Sequence, residues 1–178
     1  MPIDTREQIA NAVRTLLVEK HVKRLTVKDI VEECSITRQT FYYHFEDIPD
    51  LLRWIIERES EKVMEECIAQ GDAERGLRYL FLVAVNLRAV VQQSLKTNYG
   101  EELERIMAQQ FRACFGQIVD ALGLYRQCSR ADQALIIRYH SAAMMGLLRD
   151  WRSADTENLE HIVHQVYLIL TGEVSALD

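Results

Sequence analysis

Apolar residues recur three and four positions apart through most of this sequence, which is the spacing of amphipathic helices. Near the start this spacing joins Ile9, Val13 and Leu16, and Thr5 with Gln8 has the form of a capping box. No alternating strand pattern of useful length occurs, and only two prolines and seven glycines interrupt the chain. The pattern predicts an all-α fold of about nine helices, in which a three-helix helix-turn-helix headpiece precedes a C-terminal helical bundle.

Two short helices are predicted between Thr26 and His44. Thr26 is a candidate N-cap, and the apolar positions that follow it share one face of a short helix. Ser35 and Ile36 interrupt that helix. Thr37 is a second candidate N-cap, from which another short helix extends to His44. Two short helices joined by a tight turn are typical of a helix-turn-helix, whose second helix enters the major groove of DNA.

The second of these helices has one face suited to burial and one suited to DNA. Phe41 and Phe45 are four residues apart and share a side, and at about 100° per residue Gln39 and Tyr43 point almost directly away from them. A glutamine can read adenine with a donor and an acceptor, so we expect Gln39 and Tyr43 to contact base edges. The alternative is that all the rings from Phe41 to Phe45 are core, but five consecutive helical residues span every face.

Residues beside this face are candidates for contact with phosphates, because the sides of a groove-bound helix face the DNA backbone. Lysines and arginines at positions 20, 23, 24 and 28 would add an electrostatic rim, and the alternative for each is an ordinary solvated surface. The predicted DNA-binding residues are Thr26, Val27, Lys28, Thr37, Arg38, Gln39, Thr40, Tyr42, Tyr43 and His44.

After a fourth helix that starts near residue 47, the chain is predicted to form further helices, with a polar connection at residues 153–156. The headpiece would occupy residues 1–48, and an effector-binding and dimerisation domain would occupy residues 49–178. The hinge is expected within the fourth helix near residue 50, since no Ser/Gly-rich linker is present. The further helices are predicted over 73–93, 99–106, 105–122, 130–152 and 157–174.

Small residues and a wide apolar stripe near the C-terminal end indicate an interface with a second copy of the chain. The small residues would let another helix approach closely, and the stripe is wide enough to serve both a core and a partner. The alternative is that both helices are internal to one chain. The predicted interface residues are Ala142, Ala143, Gly146, Leu159, Ile162, Val163, Val166, Tyr167 and Leu170.

Polar and aromatic residues of the second part are candidates for an effector pocket. Ligand cavities need a few convergent polar groups, and ordinary core or surface is the alternative for each candidate. His161 and His164 have helical metal-ligand spacing without a nearby third ligand, so we expect a surface pair and no metal. The candidate pocket residues are Tyr79, Asn86, Gln93, Tyr99, Phe111, Phe115 and His140.

Charge and cysteine content add limits to this interpretation. The net charge is −6, but residues 1–46 hold seven basic and seven acidic residues, so the excess acid lies outside the headpiece. Four scattered cysteines without a Cys-x-x-Cys pair indicate reduced thiols, and no cofactor is expected. The start lacks the apolar core of a signal peptide, and the longest stretch without Asp, Glu, Lys or Arg is far shorter than the roughly 20 residues of a spanning helix. We expect a soluble, cytoplasmic protein.

The residues of the two short helices resemble a known family. Thr37–Phe45, preceded by Thr26–Ile30 and followed by Leu51–Leu52, is similar to the TetR/AcrR transcriptional regulators over roughly the first third of the chain. Residues 142–151 look like the penultimate helix that this family uses in dimerisation. The recognition helix together with residues 50–55 resembles more closely the subgroup that includes the dihydroxyacetone kinase operon activator.

This resemblance implies a homodimer that binds a palindromic operator with an affinity modulated by a ligand. The alternative, implied by the subgroup, is a transcriptional activator controlled by a coactivator protein. The expected partners are double-stranded DNA, a second copy of the chain, and an unknown small-molecule effector or coactivator protein, with no membrane. An enzyme is not expected, because the sequence carries no Gly-rich phosphate loop, metal triad or Ser/His/Asp grouping at a recognisable spacing.

Two positions depart from the family pattern. Ile48 stands where the family often has a phosphate-binding lysine at the start of the fourth helix. Ser35 stands where the turn often has glycine, and a serine there is strained if its φ is positive. These departures predict a headpiece that holds the DNA backbone with fewer cations and relies more on hydroxyl groups and backbone amides.

Overall fold

The structure is a computed structural model that describes residues 4–173, apart from the side chains at positions 89, 90 and 122. These residues form helices and loops without a strand, which confirms the predicted all-α class. None of the helices in this range is long and apolar enough to cross a membrane. The helices are α1 Thr5–Arg14, continued by a π-helical turn Thr15–Glu19, α2 Val27–Glu33, α3 Arg38–His44, α4 Ile48–Ala69, α5 Ala73–Ser94, α6 Gly100–Leu122, α7 Arg130–Arg149, α8 Ser153–Glu157 and α9 Leu159–Thr171.

Threonine hydroxyls begin the two helices of the helix-turn-helix, as predicted. The Oγ1 atom of Thr26 accepts a hydrogen bond from the amide of Asp29 at 3.2 Å, and Thr37 accepts one from the amide of Thr40 at 3.0 Å. Each bond satisfies an amide that has no partner within its helix. Both helices therefore start at positions fixed by their own sequence.

The start of α1 differs from the prediction. Asp4 is the N-cap, and its carboxylate accepts the amide of Arg6 at 3.1 Å, so the predicted Thr5–Gln8 capping box is wrong. The Gln8 side chain donates instead to the carbonyl of Cys34 at 2.7 Å. An acidic cap one residue earlier satisfies an amide at the helix end and leaves the Gln8 side-chain amide for a tertiary contact.

Two later elements also differ from the prediction. Residues 99–106 and 105–122 were predicted as separate helices, but they form the single helix α6, whose buried Leu103 and Ile106 continue its apolar face. Residues 153–156, predicted as a polar connection, belong to the short helix α8. The amide of Arg152 donates to the Asp155 carboxylate at 2.7 Å at the start of α8. A local cap of this kind can stabilise one turn without apolar periodicity.

The chain divides into two compact units. The first ends at Arg58 within α4 and also includes Arg88–Met107 from the end of α5 and the start of α6. The second contains Glu59–Leu87 and the chain from Ala108 onward. The predicted division of roles between residues 1–48 and 49–178 stays a prediction.

The core of the first unit joins α1, α2, α3 and the start of α4. Ile9, Ile30, Phe41 and Leu51 are completely buried in it, and Ile106 of α6 is 2% exposed in the same cluster. Burying a side chain of this size contributes roughly 1.5–3 kcal/mol. This shared core gives α3 a fixed support.

The second unit has its own core, formed by α5, α6, α7 and α9 and by the connection before α8. Its completely or almost completely buried side chains include Phe81, Val119, Trp151 and Val163. The indole N–H of Trp151 donates to the hydroxyl of Thr156 at 2.9 Å, so its polar atom has a partner.

Candidate nucleic-acid interface

The recognition helix α3 separates a buried face from an exposed one. Phe41 is fully buried and Phe45 is 3% exposed, whereas Tyr42 is 57% and Tyr43 is 84% exposed. Gln39 is also exposed. An aromatic ring left largely in solvent beside two buried rings marks a surface that is free for a partner. The face predicted to read bases is therefore accessible.

A shallow depression lies on the exposed face of α3. Four predicted DNA-binding residues, Thr37, Gln39, Thr40 and Tyr43, line this open space of about 280 Å³. The hydroxyls of Thr37 and Thr40 lie 2.9 Å apart. An amide, two hydroxyls and a phenol can donate to phosphate or base acceptors, so this surface has the chemistry of a DNA contact.

The predicted residues of α2 lie at its N-terminal end. Thr26 donates its hydroxyl proton to the Asp29 carboxylate at 2.6 Å, so that proton is already committed within the chain. Lys28 is exposed, with its ammonium 3.8 Å from Glu32, and Val27 is half-buried against the first core. An exposed pair at this distance contributes little stability, which leaves Lys28 available to a phosphate.

The other candidate cations differ in their partners. The Lys20 ammonium pairs with the Glu33 carboxylate, while Lys23 and Arg24 are exposed in the loop that leads to α2. The electrostatic rim is therefore offset in part by the chain's own acids, as the equal count of acids and bases in the headpiece indicates.

Two side chains of α1 hold α3 at both ends, and the sequence analysis missed both. Gln8 donates to the carbonyl of Cys34 in the turn before α3, as described above. At the other end, the guanidinium of Arg6 donates to the carbonyl of His44 at 3.2 Å and lies 5.3 Å from the ring centre of Phe45. These bonds satisfy carbonyls that the helices leave free.

A pair of guanidinium groups also surrounds Trp54 of α4. Arg6 lies 5.8 Å and Arg58 lies 5.3 Å from its ring centre, and the ring meets Phe45 edge-on at 5.8 Å. Arg58 pairs in addition with the Glu7 carboxylate. Cations over an indole face are attracted by its quadrupole, so this cluster ties α1, α4 and the end of α3 together.

The two departures from the family pattern have clear positions. Ser35 has φ 54°, a left-handed conformation that is strained for serine and that a glycine adopts without strain. Ile48 is 3% exposed and belongs to the first core. Beside it the Asp47 carboxylate accepts the amide of Asp50 at 2.8 Å, so an acid occupies the start of α4. This end of α4 therefore offers no cation to a phosphate.

The predicted interface residues of the C-terminal part fall into two groups. Ala142, Ala143 and Gly146 of α7 are exposed, and Ile162, Val166 and Tyr167 of α9 are half-buried. Leu159, Val163 and Leu170 are buried in the core of the chain's own second unit. The residues that remain available to a second copy are therefore the exposed and half-buried ones. The sequence analysis did not include three exposed apolar residues of the same helices: Leu135, Tyr139 and Ile169.

The candidate effector residues are spread over both units. Gln93 and Tyr99 belong to the first, where Tyr99 lines an open groove of about 620 Å³. In the second unit Asn86 is exposed, Tyr79 is half-buried, and Phe111 and Phe115 pack in the core.

His140 has an aromatic surrounding in the second unit. Its ring lies 6.1 Å from that of Phe115 and stacks at 6.2 Å on Tyr125, whose hydroxyl donates to the carbonyl of Leu170. Burial lowers the pKa of His140 below its ordinary value of 6.5. The half-buried imidazole of His140 therefore stays neutral to a lower pH than an exposed one would.

The two histidines with metal-ligand spacing, His161 and His164, both belong to α9. His164 on α9 lies 2.8 Å from the Glu74 carboxylate of α5. Among residues 4–173 no group of three His, Cys, Asp or Glu side chains is placed to hold an ion.

Comparisons with known proteins bear on the helix-turn-helix first. Residues 9–54 match the family described as bacterial regulatory proteins, tetR family. Over 156 residues the chain is 27% identical to the uncharacterized HTH-type transcriptional regulator YxbF of Bacillus subtilis, a match covering 82% of this chain and 39% of that protein. It is 33% identical over 64 residues to the HTH-type dhaKLM operon transcriptional activator DhaS of Lactococcus lactis subsp. lactis, covering 36% of this chain and 34% of that one. The matched segments thus span less than half the length of either curated relative.

A solved structure supports the same fold over the whole chain. The dihydroxyacetone kinase operon activator DhaS superposes with a TM-score of 0.63 at 20% sequence identity, covering 97% of both chains. At that identity the similarity establishes the fold.

Proposed function

We propose that the chain is a DNA-binding transcription regulator of the tetR type that reads its operator through α3, and the match of residues 9–54 to that family supports this. The observation that carries this proposal is the separation of faces on α3, with Phe41 and Phe45 buried and Gln39 and Tyr43 exposed. A helix braced on one side and free on the other is what insertion into the major groove requires. Such a regulator would act on chromosomal DNA in the cytoplasm.

Within this function the exposed residues have two roles. Gln39 and Tyr43 contact base edges, because they lie farthest from the buried rings. Arg38, Tyr42 and their neighbours on both flanks of α3 contact phosphates, as do backbone amides at the starts of α2 and α3. Backbone contacts fix the register of the protein, and base contacts set its sequence preference.

Selection of bound DNA from a random pool tests this function directly. We expect an enriched palindromic consensus, since two headpieces of a symmetric dimer meet two half-sites. A chain that enriches no sequence at physiological salt would contradict the proposal.

Two substitutions in α3 test the assigned roles. Gln39→Ala should reduce discrimination at one base position of each half-site by about 1–3 kcal/mol. Tyr42→Phe should weaken binding to operator and random DNA by the same factor, because a phosphate contact carries no sequence information. Fluorescence anisotropy titrations with the selected operator and point-mutated operators measure both. If Gln39→Ala keeps the full preference of the wild-type protein, the docking is wrong.

We also propose that the protein acts as a homodimer through α7 and α9. At about 100° per residue, Leu135, Tyr139, Ala142 and Gly146 lie within about 60° of one another on α7, and all four are exposed. Exposed Ile169 extends an apolar surface on α9. An exposed apolar face with small residues suits close packing against the same face of a second copy.

The second unit would receive the regulatory signal, and two signals are distinguishable. A small molecule would release or strengthen operator binding by the purified chain alone. The alternative is an activator controlled by a coactivator protein. The 33% identity over 64 residues to a relative named as a transcriptional activator supports the activating role in this alternative. Operator titrations with the low-molecular-weight and protein fractions of a bacterial extract separate the two signals. A response to a low-molecular-weight fraction supports the ligand, and a response only to a protein fraction supports the coactivator.

A further inference from the structure

The turn between α5 and α6 holds the loop that leads into the helix-turn-helix through one side chain, Asn98. The amide of Leu25 donates to the Oδ1 atom of Asn98 at 2.8 Å, and the Nδ2 atom of Asn98 lies 3.4 Å from the Leu25 carbonyl. We propose that Asn98 is a positioning residue that sets the start of α2 and thereby controls the affinity of the headpiece for DNA. This inference rests on the proposed function and adds a point of control to it.

Leu25 is a sensitive point in the headpiece. Its side chain is 2% exposed in the first core, and the next residue, Thr26, is the N-cap of α2. The N-cap Thr26 decides the residue at which α2 begins, and holding the neighbouring Leu25 backbone keeps that residue in its place in the headpiece. Because α2 packs against α3 in the same core, a displaced start of α2 changes the support on which α3 meets the groove.

The turn that presents Asn98 is held firmly. The amides of Thr97 and Gly100 donate to the carbonyls of Ser94 and Thr97 at 3.1 Å. A Cβ atom at Gly100 would overlap the carbonyl oxygen of Leu95, so only glycine allows the chain to pass this closely. The bond to Leu25 therefore starts from a turn of fixed shape.

The start of α6 contacts the headpiece at a second place. The Glu102 carboxylate accepts two hydrogen bonds from the Arg105 guanidinium at 2.6 and 3.0 Å and lies 3.9 Å from Arg53 of α4. The hydrogen bonds from Arg105, and to a smaller extent the positive charge of Arg53, hold the pKa of Glu102 below its ordinary value. Tyr99 and Ile106 pack against the first core as well. The turn thus attaches to α4 and to the loop before α2.

Connectivity makes this turn a suitable route for a signal. The remaining parts of α5 and α6 belong to the second unit, where Ala73–Leu87 and Ala108–Leu122 lie. A change in either helix reaches residues 95–100 along continuous backbone. Breaking the Leu25 bond there would free the start of α2 without disturbing the side chains that touch DNA.

Three variants of the full-length chain test the proposal. Asn98→Ala removes both contacts, whereas Asn98→Asp keeps the acceptor that receives the Leu25 amide. Since Asn98 is exposed, the added charge stays in water. Gln92→Ala is the matched control, because it removes another exposed amide side chain on α5. Hydrogen exchange at the Leu25 amide, operator affinity and affinity for random DNA are measured for each.

We expect Asn98→Ala to speed exchange at the Leu25 amide and to weaken operator binding about tenfold, more than it weakens binding to random DNA. Asn98→Asp should recover part of both losses, because it keeps the 2.8 Å acceptor but loses the donor that faces the Leu25 carbonyl. Gln92→Ala should leave both values unchanged. Wild-type operator affinity in Asn98→Ala would overturn the role of Asn98, as would an equal loss in Asn98→Asp. A wild-type chain that binds no selected DNA would overturn the proposed function itself, which distinguishes the two failures.

Discussion

Ser35 occupies the turn between α2 and α3 in the left-handed region, with φ 54°. A residue with a side chain in this region lowers the stability of the fold by roughly 1–2 kcal/mol, and a glycine does not have this effect. We therefore expect Ser35→Gly to raise the free energy of unfolding by about 1 kcal/mol, measured by urea denaturation. Ser35→Ala keeps the strain and is the control. Equal stabilities of Ser35→Gly and the wild-type protein would contradict this assignment.

His140 predicts a dependence of stability on pH. Its folded-state pKa lies below 6.5, so the unfolded chain takes up the proton first as the pH falls. The free energy of unfolding should therefore decrease as the pH is lowered from about 6.5 towards the folded pKa. His140→Gln should remove this part of the decrease, because the amide does not titrate.

Urea denaturation of both proteins between pH 7.5 and 5.5 measures the His140 effect. Other groups add a common slope, so the difference between the two curves is the relevant quantity. Parallel curves for the wild-type protein and His140→Gln would show that the buried imidazole does not contribute.

At the residue scale, the sequence predicted what local geometry decides. The burial of Phe41 and the strain at Ser35 follow from helical spacing and from the absence of a glycine. The roles of Gln8 and Arg6 do not follow, because their partners lie 26 and 38 residues away in the chain. A polar side chain near a helix start has several local roles, and only the tertiary packing selects among them.

The fastening of α3 by α1 leads to a prediction about one helix. Arg6→Ala removes the hydrogen bond to the His44 carbonyl and the cation over the Phe45 and Trp54 rings. We expect a loss of about 1 kcal/mol in the free energy of unfolding and weaker operator binding, because the C-terminal end of α3 loses its tie. Thermal unfolding and operator titration measure these.

Arg6→Lys is the matched variant for this helix contact. It keeps the positive charge but loses the planar group that stacks on both rings and donates to the carbonyl. It should therefore behave as Arg6→Ala does. Full recovery in Arg6→Lys would show that the charge acts on DNA directly and that the contact with α3 is secondary.

At the element scale, the sequence predicted about nine helices and the all-α class, but it divided α6 into two helices and missed α8. Residues 99–106 looked too mixed to extend α6, yet Leu103 and Ile106 are buried on one face of it. Tertiary burial outweighs a weak local pattern. Helix α8 depends on the Asp155 cap and on Thr156, which accepts the Trp151 indole N–H, and neither contact has a periodic signature.

At the scale of the whole molecule, the proposed DNA-binding surface can be predicted from the sequence pattern, whereas the candidate effector pocket cannot. The proposed DNA-reading surface is one short helix, so the spacing of its apolar residues predicts which face is exposed. The effector candidates are distant in sequence, and Gln93 and Tyr99 fall in a different compact unit from Phe111, Phe115 and His140. Convergence of polar groups on one cavity depends on packing, which local patterns do not encode.

The exposed face of α7 supports a prediction about assembly. Leu135 is 54% exposed at the proposed interface, and Leu135→Glu would place a charge in an apolar contact. We expect dimerisation to weaken at least 100-fold, equivalent to about 3 kcal/mol, because the carboxylate would lose its water.

Ile68→Glu is the matched control, since Ile68 on α4 is 58% exposed outside α7 and α9. Sedimentation velocity should show a dimer for the wild-type protein and Ile68→Glu but a monomer for Leu135→Glu. Operator affinity should fall when dimerisation is lost, because one headpiece contacts only one half-site. A Leu135→Glu protein that stays dimeric and binds the operator normally would exclude this face of α7 from the interface.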